Sequence, residues 1–224
     1  MINFLQNYSG TELIIVLAAY VLVIIISLAF HEFAHAYVAH KQGDDTPKAM
    51  GRLTLNPLPH IDIFGFLMIL FLGFGWAKPV VTNPLKYRRL RKGSFLVSIA
   101  GVTVNLIFAF ISYPLLMLLL MYGGGLPEGL FLFLYIFLHM MFLINIILFT
   151  FNLLPVYPLD GFRVIEAFAK YDNPYVKFMH KYGAFVLLGV LILLTQFNLL
   201  DYLIVIISAP ITAFWNLIFL GVAI

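Results

Sequence analysis

No cysteine occurs anywhere in the 224 residues. That excludes a disulfide framework and removes the thiol as a metal ligand or nucleophile. Charge is nearly as scarce: only 10% of the residues are Asp, Glu, Lys or Arg, against about 25% in soluble domains. With 63% hydrophobic residues and a mean hydropathy of +1.03, a water-soluble fold of this length has no way to hide its apolar surface. The composition is that of an integral membrane protein. The first apolar run, Leu13 to Phe30, contains no charge at all. No Lys or Arg precedes it and no small-residue cleavage site follows, so it lacks the marks of a secretory signal and is predicted to stay as a transmembrane helix.

A hydrocarbon core of about 30 Å takes roughly 20 apolar helical residues to cross. Four further segments meet that length: about 94–121, 130–153, 183–199 and 203–222. A sixth run, Ile63 to Ala77, is shorter, is broken by Gly65, Gly73 and Gly75, and is flanked by Pro57, Pro59, Pro79 and Pro84. It is predicted to be re-entrant or short and β-like, at about 55–80, since irregular backbone at membrane depth is tolerated where protein covers it. The expected fold class is therefore all-α and polytopic, with about five transmembrane helices plus that membrane-associated segment.

The basic residues test this count. All 13 Lys and Arg fall within Lys41 to Arg52, Lys78 to Lys92 and Arg163 to Lys181. Five crossings put all three regions on one side, the cytoplasm by the positive-inside rule, with the N-terminus outside and the C-terminus inside. A sixth crossing would force Lys78 to Lys92 out. The expected setting is a multi-pass protein of the plasma membrane whose site opens to the cytoplasm. No internal repeat or low-complexity tract is visible, so 1–224 reads as one domain, with a core at about 12–170 and additional helices at 183–222.

Chemistry enters at the end of the first run. "HEFAH" (31–35) is an HExxH pattern. Residues i and i+4 project from nearly the same helix face, so His31 and His35 can offer both imidazoles to one zinc ion. Glu32 beside them can take a proton from an activated water. The alternative is a pair of histidines satisfied at a helix end. A catalytic site needs a third protein ligand and an open position. Asp160 in "NLLPVYPLDGFR" (152–163) is a candidate, although Asp before Gly is also ordinary turn chemistry. Topology favours a meeting, because the helices ending before Asp160 and at HExxH run in the same direction. Helix 94–121 brings Gly101 and Asn105 to a similar depth. Asn105 reads either as an interhelical hydrogen-bonding residue or as a catalytic group steadying a substrate carbonyl.

HExxH in the first helix, Gly-x-x-x-Asn at 101–105 and Leu-Asp-Gly at 159–161 together resemble the site-2 protease family of intramembrane zinc metalloproteases. "GRLTLNP" (51–57), "HID" (60–62), "GWAKPV" (75–80) and "FNLLP…PLDG" are similar to its small prokaryotic members without a PDZ or CBS domain. The resemblance covers about residues 20–170. It implies one zinc held by His31, His35 and Asp160, with Glu32 as general acid/base in a three-helix catalytic core. The implied substrates are single-pass membrane proteins cut within or near the membrane. Departures at Val102 and "VVTNP" (80–84) touch helix packing and the substrate-facing loop rather than the metal.

His60, in a loop with Asp62, and Asn152, at a helix end, are candidates for substrate binding; turn structure and a helix cap are their plainer readings. His139 and Asn145 are intramembrane polar groups, which are functional candidates by default but also ordinary interhelical bonding partners. His40 and His180 read as solvated surface. The basic cluster at 78–92 fits anionic lipid headgroups, and nothing calls for nucleic acid. The last two helices suit a gate, a homo-oligomer surface or a lipid-facing wall. Two competing functions are a polytopic membrane metal-binding or transport protein and a non-cleaving protease-like scaffold. The first gives no reason for Glu32 directly after His31 and is expected to show paired half-repeats. The second is expected to have lost part of the intact HExxH and Asp160 set.

Overall fold

Lipid-crossing stretches can be read from hydropathy, but the ends of helices are set by local capping. The structure, a computed structural model, describes residues 8, 10–72, 75–170 and 172–221. Helix α1 (Gly10–Lys41) carries the first apolar run straight through HExxH, because no Gly or Pro interrupts "HEFAHAYVAHK". At 1.5 Å per residue its 32 residues span about 48 Å, more than the hydrocarbon core, so its last turns extend past the apolar layer. It closes with paired bonds from Gly43 N–H to the His40 carbonyl and from Asp44 N–H to the Ala39 carbonyl, both 3.0 Å.

A short helix α2 (Thr46–Ala49) and a 3-10 turn at Leu58–His60 lead to helix α3 (Ile63–Leu72). With 10 residues α3 is about 15 Å long, half of what a crossing needs. Gly73 and Phe74, part of the run read from the sequence, lie outside the described residues, as do the first seven residues of the N-terminus. The chain returns along Gly75 to Val80 without regular secondary structure. No strand occurs among the described residues, so the β-like alternative gives way to a half-length helix with an irregular return. The two arms touch backbone to backbone: a Cβ on Gly75 would lie 2.1 Å from the Gly65 carbonyl oxygen. Lys78 N–H also donates to the His60 carbonyl at 2.9 Å.

The remaining elements are α4 (Leu90–Tyr122), α5 (Glu128–Asn152), α6 (Asp160–Phe168), α7 (Pro174–Gln196) and α8 (Leu199–Leu220). Five helices, α1, α4, α5, α7 and α8, are long and apolar enough to cross a membrane. Helices α1, α4 and α5 pack together as the centre of the molecule. Val16, Tyr20, Val23 and Ile24 of α1 bury against Ile136, Met140 and Met141 of α5, with Phe66, Ile69 and Leu70 of α3 laid over them. Helix α8 joins through Ile211, packed with Ala109, Phe142 and Ile146. Helices α7 and α8 expose many large apolar side chains, as in Phe185, Leu188, Ile192, Val205 and Ile206. Such a surface suits hydrocarbon rather than water.

Asp44 fixes the returning segment onto the end of α1. Its fully buried carboxylate accepts from Thr46 N–H at 3.0 Å and from Asn83 N–H at 2.6 Å. Arg88 N–H adds a bond to the Gln42 carbonyl at 2.8 Å. This anchor determines where residues 78–82 lie, and hence what they present to α1.

Candidate metal centre and active site

Two imidazoles and a carboxylate meet where α1, α4 and α6 come together. The distances are 3.1 Å between His31 Nε2 and His35 Nε2, 3.1 Å from His35 Nε2 to Asp160 Oδ2, and 3.4 Å from His31 Nε2 to Asp160 Oδ2. The α1 periodicity supplies the histidines. Asp160 arrives because α6 folds back on the end of α5, which only glycine at 161 permits: a Cβ there would lie 2.2 Å from the Leu153 carbonyl oxygen.

Proton positions follow from groups that can only accept. His35 Nδ1 faces the Val97 main-chain carbonyl at 2.7 Å, so that nitrogen carries the hydrogen and Nε2 is bare. The His31 ring is fixed through a longer chain. Asn145 Nδ2 lies 2.8 Å from the Met141 carbonyl and 2.9 Å from Ser27 Oγ. A carbonyl cannot donate, so the Asn145 amide nitrogen is on that side and its Oδ1 faces Asn105 Nδ2, at 2.8 Å. Asn105 therefore presents Oδ1 to His31 Nδ1, at 2.7 Å, and His31 Nε2 is bare as well.

Three acceptor atoms thus face one another with no hydrogen between them. Asp160 Oδ2 is a buried oxygen without a hydrogen-bond partner. Such a cluster is repulsive unless a cation sits in it. The spacing fits one: tetrahedral zinc with bonds of about 2.0–2.1 Å sets its ligands about 3.3 Å apart. His31, His35 and Asp160 are the group of candidate metal ligands found among the described residues. Room beside them depends on Gly101, where a Cβ would lie 2.4 Å from His35 Nε2 and 2.6 Å from His31 Nε2.

Glu32 is buried next to this cluster, with Oε2 accepting from the Val80 main-chain N–H at 2.8 Å. A groove of about 700 Å³ adjoins the site, lined in part by Val80, Tyr87, Arg91, Ser98, Arg163 and Glu166.

The other sequence candidates make hydrogen bonds and ring contacts within the fold. Asn105 is fully buried, with Oδ1 on His31 and Nδ2 on Asn145, so the interhelical reading describes it better than contact with a substrate carbonyl. His60 is enclosed by its own loop, its Nε2 on the Thr54 carbonyl at 2.9 Å. Asn152 Nδ2 bonds the Leu148 carbonyl one turn back in α5. His139 stacks on Tyr135 with ring centroids 5.8 Å apart. His40 pairs with Asp45 and His180 with Glu166 near the surface. Two partners escaped the sequence reading, the Val80 N–H and the Val97 carbonyl, because main-chain groups have no signature. Ser27 had one: it lies four residues before His31, on the same face as both histidines.

The model of peptidase family M50 matches residues 128–194, the stretch that contains Asp160. A Bacillus subtilis (strain 168) protein named "Putative zinc metalloprotease YwhC" is 49% identical over 150 residues, covering 65% of this chain and 67% of its own length. The chain belongs to the site-2 protease family. The Mycobacterium tuberculosis (strain H37Rv) protein bearing the name zinc metalloprotease Rip2, with the same qualifier, is 30% identical over 179 residues, 78% of this chain and 66% of that protein. Its Mycolicibacterium smegmatis namesake is 36% identical over 90 residues, 38% of this chain and 34% of that protein. No solved structure matches. This site-2 protease family member is a multi-pass intramembrane zinc metalloprotease, and its class of substrate is membrane proteins.

Proposed function

We propose that His31, His35 and Asp160 hold the zinc ion and that Glu32 is the general acid/base for cutting a peptide bond within or near the transmembrane segment of a single-pass membrane protein. The observation that carries this reading is the trio of acceptors with no hydrogen among them, beside a buried glutamate. When bound, zinc supplies Lewis acidity, polarising the scissile carbonyl and bringing the pKa of water toward about 7.

The chain's own residues do the rest. Glu32 accepts a proton from the attacking water and delivers it to the leaving amide nitrogen. The Val80 N–H on Oε2 fixes where that carboxylate lies beside the two histidines. The Val97 carbonyl and Asn105 hold the two rings with Nε2 free. Water reaches the site along the groove past Ser98, Arg91 and Arg163. A helical substrate has its carbonyls paired, so it unwinds locally before attack. Substrate contact by His60 requires the 54–60 loop to open, and Asn152 contributes from the end of α5.

The three basic segments support an orientation with this groove toward the cytoplasm, the N-terminus outside and the C-terminus inside the plasma membrane. The 1–224 stretch acts as one protease domain. The test uses purified full-length protein, a single-span substrate, and metal analysis alongside cleavage. Wild type should cut, and a chelator should stop it. Glu32→Ala should keep its zinc and lose cleavage; an active Glu32→Ala preparation free of wild type would remove the assigned role.

A further inference from the structure

Ser27, Asn105 and Asn145 are all fully buried, and they come from three different helices, α1, α4 and α5. Their bonds run in one direction, from the Met141 carbonyl through Asn145 and Asn105 to His31. A carboxamide is nearly symmetric in shape, so packing alone does not decide which end of Asn105 faces His31. Turned over, Asn105 would present Nδ2 to His31 Nδ1. The ring would then accept at Nδ1 and carry its hydrogen on Nε2, where a metal cannot bind.

We propose that Asn145 is a positioning residue for the metal centre: by keeping the amide of Asn105 in one orientation, it holds His31 in the tautomer that leaves Nε2 free for the metal. Met141 contributes its carbonyl and Ser27 its hydroxyl oxygen, giving the Asn145 amide hydrogens two acceptors. The Ser27 hydroxyl hydrogen turns to Met141 Sδ, 3.8 Å away. The lever is thus one helix removed from the ligand, and its origin is a main-chain carbonyl that no side-chain change can reverse. The inference rests on His31 being a zinc ligand, as proposed above.

Competition with a chromophoric chelator, on full-length protein in nanodiscs, measures zinc affinity without recourse to activity. Asn145→Leu frees the Asn105 amide to turn and should weaken zinc binding by about 10–100-fold, the usual effect of losing an outer-shell partner. Aspartate in place of Asn105 has two acceptor oxygens and no wrong face, so the double variant Asn145→Leu/Asn105→Asp, in which no Asn145 Oδ1 opposes the carboxylate, should bind zinc more tightly than Asn145→Leu alone. Rescue of this kind is not expected from a residue that merely fills space. A double variant as weak as Asn145→Leu alone would overturn the proposal, as would undiminished affinity in Asn145→Leu.

Asn145→Asp is the second arm if leucine prevents folding. A carboxyl oxygen can still accept from Asn105 Nδ2, so this variant should keep zinc, and its loss there would equally count against the idea. In zinc-loaded wild type, 15N spectra of histidine-labelled protein should show His31 protonated at Nδ1 and metal-bound at Nε2; the reverse pattern would refute the tautomer. His31→Ala separates the two levels. Unchanged zinc binding in that variant removes the ligand assignment itself, whereas zinc lost in His31→Ala and kept in Asn145→Leu removes only the role of Asn145.

Discussion

Gly101 shows how a residue with no side chain can shape a metal centre. Its Cα faces both Nε2 atoms, and the nearest distance to an added Cβ, 2.4 Å, is well inside contact range. Gly101→Ala either displaces the imidazoles or fills the space next to them. Zinc affinity, measured by chelator competition, should fall by at least about tenfold, the lower end of what disturbing a ligand's surroundings does. The loss of thermal stability should be small by comparison, since α4 otherwise gains a better helix former. Wild-type affinity in Gly101→Ala would mean that the centre has more room than the structure gives it. At this scale the sequence was informative wherever a side chain acts. His31, Glu32, His35 and Asp160 stand out in the sequence because the roles proposed for them need those residue types. The Val80 N–H and the Val97 carbonyl are not, because every residue but proline has both groups.

The joint between α1 and the returning segment centres on a buried carboxylate. Burial by itself would raise the pKa of Asp44, but the N–H groups of Asn83 and Thr46, the Thr46 hydroxyl and the nearby Lys86 outweigh it and hold the carboxyl below its ordinary 3.8. The native value is the lower one, so Asp44 contributes stability that is fully present above about 3.8 and lost as pH falls through the native value. Detergent-solubilised wild type should show no Asp44-dependent change between pH 8 and pH 5 in its melting temperature, and Asp44→Asn should lack the acid-side loss. Asp44→Ala leaves two main-chain donors without a partner and should cost about 1–3 kcal/mol. A melting temperature unchanged by Asp44→Ala would show that the joint is held by other bonds. The element boundaries illustrate a limit of hydropathy. The first apolar run was read as ending near Phe30, yet α1 continues to Lys41, because apolar length marks lipid while the Gly43 cap marks the helix end.

Across the whole molecule, five crossings and one segment too short to cross were predictable from apolar length and from the placement of basic residues, but not that this segment is helical. The packing of α1, α4 and α5 was not predictable, since lipid is as apolar as the side chains that pack, so hydropathy does not tell the two faces of a helix apart. The absence of cysteine makes the sidedness simple to measure. Single cysteines at Lys48, Arg89 and Lys170 should all react with a membrane-impermeant thiol reagent from the cytoplasmic side, and one at Gly124 from the opposite side. Labelling of Arg89→Cys from the side of Gly124→Cys would require residues 63–77 to cross, and would undo the five-crossing arrangement.

The Val80 contact with Glu32 has a consequence for how such an enzyme diversifies. An amide hydrogen is contributed by almost any amino acid, so the partner of Glu32 survives nearly every substitution along this arm. The exposed Trp76, Lys78 and Val81 can therefore change without removing that bond.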